Sequence, residues 1–262
     1  KQKTAPILLT NKDKISDDVM AEIQRVLGTD GKVYLVGGDA VLSTNIEDQL
    51  GAKNINFERI KGKNREATSL EIAKQMKATD KVFVAGGHGE ADAMSVANVA
   101  ATKEAPILLV GQNGLSDDQA RFVKYQNGTT EAYIIGGDAR VPASVDGQVK
   151  DLVEKDAKVN RIEGKRRQDT NAKVIDTFYE GKTINQVYVA KSDDKGLVDA
   201  LPGGVLAATT DTTPVVLATD EVNTSQEAVL TKLAPNAKVV KTQIGYGVAA
   251  SVWEVINSIF NK

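Results

Sequence analysis

Two strings share one polar pattern with chemical potential, RIKGKNREATS at 59–69 and RIEGKRRQDTN at 161–171. Each spells R-x-x-G-x-x-R-x-x-T, with Arg59, Gly62, Arg65 and Thr68 in the first and Arg161, Gly164, Arg167 and Thr170 in the second. A guanidinium group is planar and permanently charged, and its fork matches phosphate or carboxylate with paired hydrogen bonds. The pattern predicts the first arginine near a strand end and the second at a strand-to-helix turn, where a helix N-terminus also favours anions. Two uses fit these residues. They contact an anionic ligand, or they tie neighbouring units through buried ion pairs with Asp92 or Asp199.

Other polar candidates carry less. The GGDA turns at 37–40 and 136–139, and GGHGEADA at 86–93, lack G-x-G-x-x-G spacing. Glycine after a strand ordinarily serves a turn, so an α/β nucleotide-binding protein or enzyme built on these turns is the alternative reading. His88 is the sole histidine and cysteine is absent, which excludes thiolate metal sites and leaves no histidine-rich ligand set. Asp92 and Asp199 occupy equivalent places in ADAMS and VDALP and read as caps or inter-unit partners. Ser95 lies in no nucleophile elbow. No catalytic residue, metal site or cofactor is expected.

With 262 residues and a formal net charge of −2, the chain has no global basic field, so anion binding requires a local cluster of cations. Neither a nucleic-acid partner nor a membrane span is expected, since no apolar run approaches the ~20 residues a bilayer requires. Lack of cysteine suits an exported protein of a Gram-positive bacterium. The opening KQKTAPILLT is too short in apolar residues for a signal peptide, which would have to lie upstream of residue 1.

The elements that must position these residues repeat. TAPILLT at 4–10 returns as EAPILLV at 104–110 and, diverged, as TTPVVLA at 212–218. VYLVGGDAVLS matches AYIIGGDARVP, and Asp39 to Asp138 is an offset of 99, while Arg65 to Arg167 is an offset of 102. VFVAGGHGEADAMS matches VYVAKSDDKGLVDALP, and TQIGYGVAAS stands where IIGGDARVPAS stood. β-rich runs alternate with helical patterns, which implies parallel sheets built from βαβ units. The fold class is therefore α/β, with three tandem Rossmann-like units at 1–79, 80–182 and 183–262. The second unit is complete. The first lacks its opening strand and helix and the third its closing pair, so about ten of twelve βα pairs are expected here and two upstream. The PILLT, PILLV and PVVLA runs are expected to be buried core strands, with a residue leaving the strand, such as Thr10, placed to touch a ligand.

This combination of VFVAGG, ADAMS-like helix, APILL, GGDA and R-x-x-G-x-x-R-x-x-T at a spacing of ~100 residues resembles the type-2 cell-wall-binding repeats of clostridial surface proteins. The resemblance implies three Rossmann-like units packed as a pseudo-threefold triangle, and non-covalent anchoring to an anionic cell-wall polysaccharide. Within that family, TAPILLTNKDKISDDVMAEIQRV, RRQDTNAKVI and GVAASVWEVINSI are similar to high-molecular-weight S-layer subunits. That similarity implies a secreted, wall-located lattice protein. Its implied partners are a low-molecular-weight subunit, neighbouring copies and an upstream segment completing the first and third units. A purely structural lattice protein is a third reading. The family's groove implies polymer contacts at Ile7, Leu8, Leu9, Ile107, Leu108, Leu109, Arg59, Arg65, Arg161 and Arg167. The third unit departs from it, with Val215, Val216 and Leu217 and no arginine string.

Overall fold

The computed structural model describes residues 5–28, 30–125, 128–193, 196–234 and 239–260. Residues 7–76 and residues 77–262 form two compact units.

In the smaller unit, α1 (Asp17–Leu27), β1 (Lys32–Val36), α2 (Thr44–Gly51), β2 (Asn56–Ile60) and α3 (Arg65–Lys74) surround a two-stranded parallel sheet. Ser16 caps α1, accepting from the Val19 N–H at 3.3 Å, and two acids follow in the first turn. Ile15, Ile23, Leu35, Ile46 and Leu50 form its core.

The larger unit holds two parallel sheets. In the first, β3 (Lys81–Gly86), β4 (Ile107–Val110), β5 (Glu131–Ile135) and β6 (Lys158–Ile162) lie in the order β4-β3-β5-β6. Its helices are α4 (Glu90–Thr102), α5 (Asp117–Tyr125), α6 (Ser144–Lys150) and α7 (Arg167–Tyr179). In the second, β7 (Gln186–Ala190), β8 (Val215–Leu217) and β9 (Val240–Ile244) lie in the order β8-β7-β9, with α8 (Ala200–Ala207), α9 (Thr224–Leu233) and α10 (Ala250–Phe260). The runs VFVAG and VYVA are almost wholly buried because each central strand is flanked by strands and covered on its faces. One apolar core runs through both sheets, from Phe83, Val96 and Ile135 to Val216, Leu230 and Ile256. The helix α4 is buried nearly all round, which explains its alanine-rich sequence: small side chains allow α7 and α8 to approach closely.

Three sheets in tandem α/β units thus match the expected fold class. The register repeats as well, Val36 facing Ile60 in the smaller unit as Ile135 faces Ile162 in the larger. Val36 is nevertheless 50% exposed and Ile135 fully buried, because β5 has β3 on its other side whereas, among the described residues, β1 pairs only with β2.

One expectation fails for the same reason. Residues 7–10 of TAPILLT were expected to form a buried strand, yet they adopt no regular structure, and Leu8 and Leu9 are 38% and 40% exposed. Their counterparts β4 and β8 pair only with the central strands β3 and β7. Among the described residues the smaller unit contains no such strand, and an apolar run with no ladder to join has no reason to extend.

Candidate functional site

The R-x-x-G-x-x-R-x-x-T motif folds as strand, tight turn and helix start. Thr68 Oγ1 accepts from the Gly62 N–H at 3.0 Å, and Thr170 Oγ1 accepts from the Gly164 N–H at 3.1 Å. A Cβ on Gly62 would stand 2.5 Å from Ala67 backbone, so the motif admits only glycine there. The glycine and threonine are therefore structural, and they fix where the two arginines go.

The first arginine of each motif turns inward. Arg59 is 8% exposed; its Nε donates to Glu47 at 2.6 Å and its Nη1 to the carbonyls of Gly37 and Leu42, each at 2.9 Å. Arg161 donates to the Asp146 carboxylate, to the Gly136 carbonyl at 2.7 Å and to the Val141 carbonyl at 2.9 Å. Each clasps its own GGDA turn to the following helix. The expected tie to Asp92 or Asp199 across units is corrected: the acids are Glu47 with Asp39, and Asp146 with Asp138. Residues 47 and 146 are offset by 99, the same as the GGDA turns, which is the sequence signal that marks them.

The second arginine of each motif is the first residue of its helix. Arg65 is exposed on α3, where Asn64 caps the helix by accepting from the Ala67 N–H at 2.9 Å. Arg167 opens α7, donates to the Ser192 carbonyl beyond β7, and lines a cleft of about 770 Å³ within the larger unit. It therefore both ties the second sheet to the first and faces open space.

That cleft lies beyond the carboxyl ends of β3, β5 and β6, where open α/β sheets hold their ligands. Arg140, Lys165, Arg166 and Arg167 bring four cations to it against two carboxylates, Glu90 and Asp92; His88 and the apolar Leu197, Val198 and Leu201 complete the wall. Arg140, Lys165, Arg166 and His88 are exposed. Arg166 also reaches Glu221 at 3.5 Å. Sequence reasoning missed Arg140, which has no counterpart at Val41, and passed over Lys165 and Arg166 because the pattern leaves those positions open.

Asp92 is buried at the floor. Burial pushes its carboxyl above the usual range, while a hydrogen bond from Thr170 and the charges of Arg140 and Arg167 pull it back. A Cβ on Gly136, whose φ is 109°, would stand 2.6 Å from Asp92 Oδ2. Asp199 meets Gly245 in the same way. The first glycine of this GGDA turn thus serves packing against a carboxylate, a poor neighbour for a nucleotide phosphate.

The remaining expected contacts spread apart. Leu108 is fully buried, Ile107 and Leu109 pack partly buried on the core, and the Leu109 carbonyl accepts from Gln119 at 2.7 Å. In the smaller unit, Leu9 and Thr10 line a shallow pocket of about 210 Å³ with Asn11 and Ser16, and Thr10 Oγ1 donates to the Lys14 carbonyl. Among the described residues, no group of three or more potential metal ligands occurs, and no helix is long and apolar enough to cross a membrane.

Comparison with known proteins places this geometry. The chain is 28% identical over 207 residues to N-acetylmuramoyl-L-alanine amidase LytC of Bacillus subtilis (strain 168), a match covering 79% of this chain and 39% of that protein. It is 31% identical over 175 residues to the amidase enhancer of the same strain, covering 67% of this chain and 23% of that protein. The chain thus spans well under half of these relatives. Among solved structures it is similar to Cwp8 from Clostridium difficile, with a TM-score of 0.91 and 41% identity, covering 99% of this chain and 44% of that one. Cwp6 from Clostridium difficile gives a TM-score of 0.83 at 32% identity, covering 97% and 39%. The model of cell wall binding domain 2 matches residues 59–146 and 161–252, so both arginine motifs and all three sheets fall wholly or partly within it. The chain belongs to the cell wall binding domain 2 family.

Proposed function

We propose that this chain holds a surface protein to a Gram-positive cell wall without a covalent bond, by binding an anionic wall polysaccharide in the basic cleft of the larger unit. The observation that carries the reading is the convergence of Arg140, Lys165, Arg166 and Arg167 on one cleft at the carboxyl edge of one sheet. Cations on a concave, partly apolar wall attract a polyanion more strongly than the same charges spread over a surface. Of the four arginines chosen from sequence, Arg167 makes the polymer contact in this reading and Arg65 offers an exposed counterpart in the first unit. Arg59 and Arg161 set the backbone beneath. Binding, not catalysis, is the role assigned to this chain.

The finer reading is a secreted S-layer subunit of the high-molecular-weight type. The strings at 4–26, 166–175 and 247–259 support it. Its partners would be a low-molecular-weight subunit, neighbouring copies, and a segment outside residues 1–262 that adds strands beside β1 and β9. The three repeat boundaries, 1–79, 80–182 and 183–262, belong to the same proposal.

Co-sedimentation with purified walls tests the anchoring role. The protein is expected to pellet with intact walls and to stay in solution with walls whose anionic polysaccharide has been extracted. Equal pelleting with both would overturn it.

A further inference from the structure

The turn after β9 carries a different chemistry from its counterparts. At 136–139 the exposed acid Asp138 faces Arg161 at 3.7 Å, and at 37–40 Asp39 faces Arg59 at 3.6 Å and Lys61 at 3.1 Å. The third unit contains no such acid in this turn. It has Gly245, Tyr246 and Gly247 instead, and Tyr246 is 91% exposed.

Exposure alone would mean little, since single apolar side chains are common on surfaces. Tyr125 is 74% exposed, but it ends α5 and has no such setting. Tyr246 stands at the carboxyl end of a strand, and its pedestal is pinned. Gly245 and Gly247 have φ of 75° and 77°, a left-handed pair that throws the intervening side chain outward. Asp199 lies directly against Gly245 from below. Lys191 Nζ is 3.5 Å from where a Cβ on Gly247 would sit, and Lys191 is held by Asp193 at 3.0 Å. On the flank, Trp253 Nε1 donates to Gln243 Oε1 at 3.1 Å, and Gln243 Nε2 donates to the Gly245 carbonyl at 2.8 Å. The amide of Gln243 keeps one N–H and further lone-pair capacity for a hydroxyl partner.

We infer that Tyr246, with Gln243 beside it, is a pyranose-stacking site through which the third unit grips the wall glycan by ring contact, where the cleft uses guanidinium groups. A rigid aromatic face covers the apolar C–H face of a sugar at small entropic cost, and a neighbouring amide reads the hydroxyls. Two kinds of contact on one body strengthen attachment by multivalency. This inference rests on the wall-binding reading above.

Trp253 is the only tryptophan of the chain and is hydrogen-bonded to Gln243, so it reports on this turn. Polysaccharide fragments released from purified walls are titrated in while its emission is followed, and wall co-sedimentation is run in parallel. A saturable change is expected that about 0.5 M salt does not reverse, since salt screens charge pairs and leaves apolar stacking in place. Tyr246→Ala should abolish it and weaken retention about five- to tenfold, while Tyr246→Phe keeps both. Circular dichroism confirms that each variant folds. If the wild type pellets with walls and Tyr246→Ala pellets equally, the stacking site is overturned and the anchoring role stands. If the wild type does not pellet, both fall.

Discussion

Asn171 binds the edge strand β8 as another strand would: its Nδ2 donates to the Val215 carbonyl at 2.9 Å and its Oδ1 accepts from the Leu217 N–H at 3.0 Å. Gln226 completes the arrangement, donating to Asn171 Oδ1 and to the Leu217 carbonyl, each at 3.0 Å. An edge strand left open is a template for unwanted pairing. Here one side chain from α7, a helix of the first sheet, closes it. Asn171→Ala would strand the buried Val215 carbonyl and Leu217 N–H, and the loss is expected to be about 2–4 kcal/mol. Urea unfolding measures it. A change below about 0.5 kcal/mol would show that the amide is not what joins the two sheets.

The arginine clasps differ in completeness. Arg161 uses both Nη atoms, the second reaching Pro142 and Asp146, whereas Arg59 Nη2 is buried without a hydrogen-bond partner. Glu47 is one methylene longer than Asp146 and meets Arg59 Nε. Arg161→Lys is therefore expected to cost about 3 kcal/mol, and Arg59→Lys clearly less. Equal losses in thermal unfolding would contradict the difference.

Leu8 and Leu108 occupy matching places in the repeated strings, yet one is 38% exposed and the other fully buried in β4. Leu108→Ala is expected to cost about 2–5 kcal/mol and Leu8→Ala less than about 1. Comparable destabilisation by both would place residues 7–10 in a packed strand after all.

Asp92 gives the cleft a pH signature. Its carboxyl is held above the ordinary value by burial, despite Thr170, Arg140 and Arg167. Between the unfolded and the folded value the folded state holds a proton that the unfolded chain has released, so this group's contribution is full below the unfolded value and is lost as pH rises through the folded one. Asp92→Asn removes that loss. The variant is expected to gain stability relative to wild type at pH 7 and to lose the advantage below pH 4, by melting temperature. A variant less stable at pH 7 than at pH 4, relative to wild type, would show that the carboxylate is a net stabiliser.

Much of this was readable from local pattern. The β-rich runs VFVAGG and VYVA form strands β3 and β7, their unbroken apolar residues matching burial on both faces, and in α5 Ser116 and Gln119 cap each other through the backbone at 3.3 and 3.0 Å. What depends on a distant partner was not readable. TAPILLT has the composition of a strand but no ladder to join, a fact held in no single string. The inward arginines were chosen for ligand chemistry because their acids sit 12 and 15 residues away in sequence, on the helix after the turn. Arg140 had no repeat to mark it, and only the fold brings it beside Arg167.

The most direct test of a cationic cleft is the salt dependence of wall binding. Dissociation constants for purified walls are measured from about 50 to 500 mM salt for wild type, Arg140→Gln, Arg167→Gln and the double variant. Wild-type affinity should fall steeply with salt, each single variant should bind more weakly with a shallower slope, and the double variant should show the weakest binding and the shallowest slope. A wild-type affinity independent of salt, or variants whose slopes match it, would contradict a guanidinium-lined cleft as the seat of binding.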